Sequence, residues 1–292
     1  MITSKRIWPD NRKTALVTDI TLQIKEITRA RTMENNIIKA ADLLRQAWDN
    51  NEAGDPIREL VDSENLTTAY MIQDYNDKIW QAQGRRLVGR KLGLTNKAVQ
   101  KQFGISDPCY GNIYADMVLI DGAEITKPVV SDLRVETEIA VVLKKDLTQT
   151  EHTILDIIDA VDYLLPAFEI CDSRVTGWNV KSCDFIADNA AACLVVLGTR
   201  PVSLSDCDIT RSEMVTRRAG EVVSQGKATA ILGHPLHALK WLADDLVRIG
   251  KPLRAGEFVI TGAIGPAVSA RPGDAFDAEI TGVGLISTRF AD

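Results

Sequence analysis

The first part of the chain has apolar residues at helical spacing. In ENNIIKAADLLRQAW, Ile37, Ala41 and Leu44 recur every three to four residues, which is the spacing of one face of an amphipathic helix. After a break at NEAGDP, the segment LTTAYMIQDYNDKIWQAQG repeats this pattern and ends at Gly84, a residue type that commonly follows the last turn of a helix. The pattern predicts a helical N-terminal region.

From residue 87 onward the pattern changes to short runs typical of strands. RVETEIAVVL alternates polar and apolar residues and predicts a strand, and AFEICDSRV and ACLVVLG predict two more. TILDIIDAVDYLL has a helical period, and we expect this helix to end at Pro166. HPLHALKWLADDLVRIG predicts a late helix with a leucine face. The tail contains short strands and a turn at Pro272-Gly273-Asp274.

These elements predict an α+β fold. A helical N-terminal part is followed by a β-rich core that carries two or three helices. The alternation of helix and strand is too irregular to indicate a doubly wound parallel sheet.

Composition narrows the classes of function. The 292 residues are 45% hydrophobic and 25% charged, with a formal net charge of −6. This argues against nucleic acid as the main partner, because such binders usually carry a basic field. No run reaches the ~20 apolar residues of a transmembrane helix, and the N-terminus lacks an apolar signal core, so we expect a cytoplasmic protein. The five cysteines form no CxxC pair, which favours reduced thiols.

The predicted strand RVETEIAVVL carries two glutamates one residue apart. Glu136 and Glu138 point to the same face because side chains alternate along a strand, and that face turns apolar within two residues. Adjacent, partly buried carboxylates need a cation or protons, and oxygen ligands suit Mg²⁺ or Mn²⁺. The alternative is a solvated strand face. A third acid would favour a metal site; the candidates are Glu169, Asp172 and Asp188.

A basic segment, GRRLVGRKLGLT, places Arg90 and Lys91 between Gly89 and Gly93. Glycines allow close approach of a neighbouring backbone. Lys91 is therefore a candidate for binding an anionic ligand or an enolate held by a metal. The alternative is a solvated basic turn.

Other motifs are less informative. GLTNKA lacks the order of a P-loop, and ITGAIGPA does not match the dinucleotide-binding pattern. His234 precedes Pro235 at the expected start of a helix, where we expect it to cap or pack. Cys109 has no adjacent base and is expected to be a small apolar residue rather than a nucleophile.

Taken together, several segments resemble a known family. GRKLGLTNKAVQKQFGISDPCYG, RVETEIAVVL, PAFEICDSR, ADNAA, LGHPL and ITGAIGPAV occur in the order seen in 2-keto-4-pentenoate hydratases and the related 4-oxalocrotonate decarboxylases. Both groups belong to the fumarylacetoacetate hydrolase superfamily. The resemblance covers roughly residues 35–292 and is specific as a set.

The resemblance implies a fold and a site. The fold is a mixed β roll or sandwich with a helical N-terminal region, usually assembled into large homo-oligomers. It implies an N-terminal extension (1–32), a helical region (33–85) and a β-rich catalytic domain (86–292). The implied metal is Mg²⁺ or Mn²⁺. Its implied ligands are Glu136, Glu138 and Glu169.

The resemblance also implies roles for other residues and a class of chemistry. Lys91 would bind the substrate or move a proton. The implied substrate-binding residues are Lys91, Arg90, Asp188, Thr261 and Gly262. The substrate would be a small anionic 2-keto or 2-hydroxydienoate acid from aromatic-compound degradation. The expected reaction is hydration of 2-hydroxypenta-2,4-dienoate to 4-hydroxy-2-ketopentanoate.

Two departures from the family pattern keep alternatives open. Cys109 stands where hydratases typically have an acidic residue, and a thiol has an unperturbed pKa of about 8.5. Ala191 stands where the family usually has serine. The alternatives are C–C hydrolysis of acylpyruvates such as maleylpyruvate or fumarylpyruvate, and decarboxylation of 4-oxalocrotonate.

Overall fold

A computed structural model describes residues 11–62, 65–103, 105–126, 130 and 132–292. The first ten residues of the predicted N-terminal extension lie outside this part of the chain. Within the described residues, the α-helices are α1 (Asn11–Asn50), α2 (Leu66–Ala82), α3 (Lys97–Phe103), α4 (Ile154–Ala160), α5 (Ser182–Ala187) and α6 (Pro235–Arg248).

The strands fall almost entirely after α2. They are β1 (Leu87–Gly93), β2 (Cys109–Tyr114), β3 (Val118–Ile120), β4 (Glu124–Ile125), β5 (Arg134–Leu143), β6 (Val161–Cys171), β7 (Ala192–Leu197), β8 (Glu213–Arg218), β9 (Glu221–Lys227), β10 (Phe258–Ile260), β11 (Val268–Ser269), β12 (Ala275–Ile280) and β13 (Gly284–Phe290).

The strands form two mixed sheets. The larger has the order β2-β1-β10-β5-β6-β7-β3, with β11 also paired to β5, and the smaller has the order β4-β13-β12-β8-β9. In the larger sheet β1 runs parallel to β10 and β3 parallel to β7, whereas β5 pairs antiparallel with β10 and β6. Strands β5 and β6 are therefore central, and neither is a sheet edge.

Apolar side chains cover both faces of the central strands. On one face, Val135 and Phe168 pack with Phe276 of the smaller sheet, and Ile139 and Val141 join the helical residues of α4 and α6. On the other face, Ala140, Ala167 and Ile260 pack near Trp80 of α2. Burial on two faces explains why these strands contain long apolar runs.

The predicted α+β architecture is confirmed. The two N-terminal helices form as expected, and Asn65 caps α2 by accepting a hydrogen bond from the backbone N–H of Thr68. Helix α1 runs through residues 32 and 33 without a break. The proposed boundary between extension and helical region therefore falls inside one helix, and the three-part division stays a prediction.

The helix predicted up to Pro166 is wrong in its second half. Helix α4 ends at Ala160, and Val161–Cys171 forms a strand that contains Pro166. Strand β7 ends at Leu197, and Gly198 donates a backbone hydrogen bond to the Pro166 oxygen. Pro166 therefore lies where the ladder with β7 ends, a position at which a strand tolerates the missing N–H of proline. A short apolar run such as VDYLL fits a buried strand as well as a helix.

Other expectations can be checked directly. His234 caps α6, because its Nδ1 accepts a hydrogen bond from the backbone N–H of Leu236 at 3.0 Å. All five cysteines are free and buried. In the part of the chain that the structure describes, no helix combines the length and apolarity needed to cross a membrane.

Candidate metal centre and active site

Two neighbouring strands bring the predicted carboxylates together. In the ladder between β5 and β6, Glu136 lies directly opposite Glu169, and Glu138 lies opposite Ala167. Cross-strand partners point to the same face of a sheet. Glu136, Glu138 and Glu169 therefore form a carboxylate cluster on one face. Like charges directly opposite each other destabilise a sheet, so this arrangement calls for a compensating cation.

The carboxylate cluster is largely buried and short of hydrogen bonds. Glu138 and Glu169 are both 0% exposed, and Glu136 is partly buried. The backbone N–H of Gly262 donates to Glu138 Oε2 at 2.7 Å. Among the described residues, Glu138 Oε1 and Glu169 Oε2 have no hydrogen-bond partner, and Glu169 Oε1 faces only the Lys91 ammonium, at 2.9 Å. Buried polar atoms are nearly always paired, so these oxygens are free to accept a ligand.

Burial and mutual repulsion disturb the ionisation of the cluster. Burial, followed by the charge of Glu169, raises the pKa of Glu136 to about 7. Burial and the charges of Glu169 and Glu136 also raise the pKa of Glu138 well above its ordinary value. Both shifts mean that the cluster holds protons more tightly than ordinary glutamates do, unless another cation is present.

Lys91 supplies one positive charge to this cluster. It lies on β1 opposite Ile260 of β10, which in turn lies opposite Ala140 of β5. Its Nζ is 2.9 Å from Glu169 Oε1, and its side chain is 1% exposed. Burial alone would lower the pKa of Lys91, but the nearby negative charge, chiefly that of Glu169, outweighs burial and raises it. Lys91 is therefore an ammonium ion at neutral pH.

The glycine two residues before Lys91 explains how β1 fits into the sheet. A side-chain carbon at Gly89 would come within 2.5 Å of the Phe258 backbone oxygen. Only glycine permits this separation of β1 and β10. The close approach of backbones that the glycines predicted is therefore present at Gly89.

A strained turn holds Lys91 from the other side. Lys91 Nζ donates to the Ala190 backbone oxygen at 2.9 Å. Asn189, Ala190 and Ala191 have φ angles of 51°, 51° and 57°, a left-handed conformation that costs energy for residues other than glycine. The Asn189 side chain pairs with the backbone of Asn112, accepting at 2.7 Å and donating at 2.9 Å. This pairing helps to keep the turn in place.

Arg174 and Asp188 fix the start of the same turn. Arg174 Nε donates to Asp188 Oδ1 at 2.5 Å, and the Arg174 backbone N–H donates to Oδ2 at 2.9 Å. The guanidinium also donates to the backbone oxygens of Asp172, Asp188 and Ala192. Burial raises the pKa of Asp188 to about 6 although Arg174 opposes this rise. We call Arg174, Asp188 and the turn at 189–191 the arginine clamp.

A cavity of about 860 Å³ opens beside Lys91 and Glu136. The Arg134 side chain also lines it, and its guanidinium carbon lies 3.9 Å from the centroid of the Trp178 ring. The apolar wall includes Leu94, Val180, Phe185 and Ile264. The cavity thus offers charged groups near the carboxylate cluster and an apolar surface beyond it, as small-molecule sites commonly do.

The structure brings some of the predicted substrate-binding residues to this cavity and not others. Lys91 lines it. Arg90, next along β1, is buried and donates to the Gly89 oxygen at 3.1 Å. The Thr261 hydroxyl donates to the Ile139 oxygen at 3.1 Å, and Gly262 binds Glu138. The Asp188 carboxylate is already hydrogen-bonded to Arg174. These four residues support the site and do not line the cavity.

Sequence reasoning missed two residues here. Cys171 lies two residues after Glu169 on β6, and its Sγ is 3.9 Å from Glu136 Oε2. Ligand atoms of Glu136, Glu169 and Cys171 lie within 4.8 Å of one another; Glu138 is not in that group. Arg174 is the other. The acid–arginine spacing in CDSR gave no indication of its five hydrogen bonds, since its partners lie elsewhere in the chain.

Cys109 and Asp172 are the two remaining residues that the sequence raised as candidates. Cys109 is buried, and burial raises the pKa of its thiol to about 12. Its thiol is therefore neutral at ordinary pH. Asp172, the alternative third acid, accepts hydrogen bonds from the backbone N–H groups of Val130 and Asp132 at 2.6 and 3.3 Å. Its carboxylate is committed to a loop.

Comparison with known proteins identifies relatives of the whole chain. Residues 88–291 match the family described as fumarylacetoacetate (FAA) hydrolase C-terminal. The chain is 46% identical to 2-keto-4-pentenoate hydratase 1 of Dechloromonas aromatica over 252 residues, 86% of this chain and 96% of the relative. It is 43% identical to a 2-keto-4-pentenoate hydratase of Paraburkholderia phymatum, with coverage of 89% and 99%.

The fold has a solved counterpart. The 4-oxalocrotonate decarboxylase of Pseudomonas putida G7, complexed with magnesium and adipate, superposes with a TM-score of 0.83. It is 31% identical, and the match covers 88% of this chain and 98% of that one. The predicted architecture, a mixed and curled β core with a helical N-terminal region, is confirmed.

Proposed function

Since the chain belongs to the fumarylacetoacetate hydrolase family, we propose that it is a divalent-metal-dependent hydratase. It converts 2-hydroxypenta-2,4-dienoate into 4-hydroxy-2-ketopentanoate in the degradation of aromatic compounds. The observation that carries the proposal is the buried carboxylate cluster with unpaired oxygens, next to a protonated lysine and open to a cavity. Relatives named as hydratases, at 42–46% identity over 86% or more of this chain, support this reaction.

The residues fit a divalent metal ion. Among the described residues, Glu138 Oε1 and Glu169 Oε2 are buried without hydrogen-bond partners, and Glu136 stands directly across the ladder from Glu169. An all-oxygen donor set suits Mg²⁺ or Mn²⁺, and Glu136, Glu138 and Glu169 are the residues that would hold the ion. When bound, such an ion stabilises negative charge on the C2 oxygen of a 2-keto acid.

Lys91 has the position of the second cationic group. Its ammonium is held at 2.9 Å from both Glu169 Oε1 and the Ala190 oxygen, so its direction is fixed before substrate arrives. We propose that Lys91 donates a hydrogen bond to the substrate carboxylate or C2 oxygen. The dienol first becomes the 2-keto-3-enoate, as the C2 hydroxyl loses its proton and C5 gains one. Water is then added, its hydroxyl at C4 and a proton at C3.

The apolar wall binds the rest of the substrate. Leu94, Val180 and Phe185 line the cavity, and the centroid of the Phe185 ring lies 5.3 Å from Lys91 Nζ. Such a wall suits a short hydrocarbon tail and limits the access of water to the enolate. We therefore assign the diene end of the substrate to this wall.

One assay tests the proposal. The protein is treated with a chelator and then given Mg²⁺ or Mn²⁺ with 2-hydroxypenta-2,4-dienoate. We expect metal-dependent loss of dienol absorbance beyond spontaneous ketonisation, with 4-hydroxy-2-ketopentanoate identified by mass spectrometry. The proposal is rejected if neither ion supports product formation.

Decarboxylation is the second candidate, and two observations favour it. The superposed relative at 31% identity is a decarboxylase. In addition, Cys109 replaces the acidic residue of hydratases, and its buried thiol, with a pKa raised to about 12, does not exchange protons as a carboxylate does. Release of CO₂ from 4-oxalocrotonate in the same assay would support this candidate. Pyruvate release from acylpyruvates would instead indicate C–C hydrolysis.

Two finer points complete the proposal. We propose Mg²⁺ or Mn²⁺ as the resident ion and a homo-oligomer as the working form. Metal analysis of the purified protein tests the first, and light scattering after size exclusion tests the second.

A further inference from the structure

The thiol of Cys171 lies at the carboxylate cluster, and no step proposed above uses it. Its Sγ is 3.9 Å from Glu136 Oε2, and the residue lines the cavity. On β6, Cys171 and Glu169 are two positions apart, so they share a face. Glu136 and Cys171 both line the cavity, so a dissolved ion that enters it meets carboxylate oxygens and a sulfur atom.

Two independent observations indicate that this group can bind an ion. Ligand atoms of Glu136, Glu169 and Cys171 lie within 4.8 Å of one another. Glu169 is fully buried, and among the described residues its Oε2 has no hydrogen-bond partner, whereas its Oε1 faces the Lys91 ammonium at 2.9 Å. The cysteine is therefore not an isolated thiol but one member of a group that includes a buried carboxylate with one unpaired oxygen.

We propose that Glu136, Glu169 and Cys171 form a mixed oxygen–sulfur donor set for a thiophilic divalent ion such as Zn²⁺ or Co²⁺. This set overlaps the oxygen-only set of the proposed function, in which Glu138 takes the place of Cys171. Because two glutamates are shared, the two sets exclude each other. A thiophilic ion therefore competes with Mg²⁺ and inhibits the enzyme, and the inference rests on the proposed function only through these shared glutamates.

The chemistry of the donors separates the two sets. Thiolate ligands favour zinc over magnesium, whereas carboxylates suit hard ions. When the sulfur–metal bond forms, the thiol proton passes to the buffer, because a coordinating thiol is deprotonated. The bond has its own spectroscopic property: a sulfur-to-cobalt charge-transfer band in the near ultraviolet, which carboxylate ligands do not produce.

The experiment uses the full chain after chelator treatment and a titration with Co²⁺. We compare wild type with Cys171→Ser and with Cys207→Ser, a matched control at a buried cysteine whose Sγ lies 3.8 Å from the Ser212 hydroxyl. We expect the charge-transfer band in wild type and in Cys207→Ser and its loss in Cys171→Ser. Excess Mg²⁺ should reduce the wild-type band, and Zn²⁺ affinity should fall at least about tenfold in Cys171→Ser.

The outcomes are distinguishable. Circular dichroism and thermal melting establish that Cys171→Ser is folded, and Cys171→Ala provides a second variant if it is not. The inference is overturned if the band persists in the folded variant. It is also overturned if wild-type protein that Mg²⁺ still activates shows no band with Co²⁺. If the Cys171-dependent band appears but no dienoate is hydrated, the inference stands and the proposed function fails.

Discussion

Two buried charged clusters meet at Lys91, and they differ in how well their charges are satisfied. In the arginine clamp, Arg174 makes five hydrogen bonds with Asp188 and with neighbouring backbone oxygens. In the carboxylate cluster, Glu138 Oε1 and Glu169 Oε2 have no hydrogen-bond partner among the described residues, and the Lys91 ammonium alone faces Glu169 Oε1. Lys91 joins both, through Glu169 and the Ala190 oxygen.

The difference indicates two uses of buried charge. A satisfied buried ion pair holds a shape, because removal of either partner leaves an uncompensated charge. An unsatisfied group is costly on its own and suits a ligand that completes it. We therefore expect the arginine clamp to contribute to folding and the carboxylate cluster to contribute to function at the expense of stability.

The largest expected effect is on activity. Glu138→Gln keeps the acceptor for the Gly262 N–H but removes a metal ligand and a negative charge. We expect kcat/KM for the dienoate to fall about 10⁴-fold, equivalent to about 5 kcal/mol. Without metal, the variant should melt at a higher temperature than wild type, since repulsion from Glu169 and Glu136 is relieved.

A matched control separates the loss of a metal ligand from a general effect of replacing glutamate with glutamine. Glu279→Gln makes the same change on β12, where the glutamate is exposed. We expect activity and stability close to wild type in that variant. Equal behaviour of the two variants would mean that Glu138 lies on an ordinary solvated strand face.

How much of the carboxylate cluster the sequence predicts depends on how far apart along the chain the contacting residues lie. The common face of Glu136 and Glu138 follows from alternation within one strand. The position of Glu169 opposite Glu136 depends on the register between β5 and β6, which no local pattern encodes; only the family resemblance suggested it. The helix expected over VDYLL failed for the same reason, because its strand partners lie elsewhere in the chain.

The second effect is on folding. Arg174→Met leaves Asp188 buried without its partner, so we expect a loss of about 3–5 kcal/mol in the free energy of unfolding. Chemical denaturation measures it. The double variant with Asp188→Leu should recover part of the loss, because no buried charge remains. If the single variant is as stable as wild type, the clamp has no structural role.

The third effect is a pH dependence of the metal-free protein. The pKa of Glu136 is raised to about 7 from an ordinary value of 4.5, so the folded state binds this proton more tightly than the unfolded state. Its contribution to stability is full below the ordinary value and is lost as pH rises through about 7. The loss amounts to about 3 kcal/mol.

Glu136→Gln removes this dependence and serves as the comparison. Melting temperatures of metal-free wild type and variant should agree near pH 5 and diverge near pH 8, with the variant more stable. Addition of Mg²⁺ should reverse the order, because wild type alone keeps the full donor set. A constant difference across pH would show that Glu136 is not in a repulsive environment.

The smallest effect tests the strain in the turn that joins the two clusters. Ala190 has a φ of 51°, which costs an L-residue roughly 1–2 kcal/mol. Glycine removes that cost, but it adds about 0.4–1 kcal/mol of unfolded-state entropy. Ala190 is also 0% exposed and packs in a core cluster, so glycine loses a buried methyl group worth about 0.8 kcal/mol. The terms nearly cancel, and we expect Ala190→Gly to change the free energy of unfolding by less than about 0.5 kcal/mol.

The neighbouring alanine gives the control. Ala192 has a φ of −59°, so glycine there relieves no strain and should only destabilise. We expect Ala190→Gly to leave the melting temperature near that of wild type and Ala192→Gly to lower it, since both lose a buried methyl group but only Ala190→Gly relieves strain. Ala190→Gly should also lower kcat, because a looser turn orients Lys91 less well through the Ala190 oxygen. If both alanine-to-glycine variants destabilise the protein equally, the turn at 189–191 is unstrained. The arginine clamp then bears none of the energetic cost of positioning Lys91.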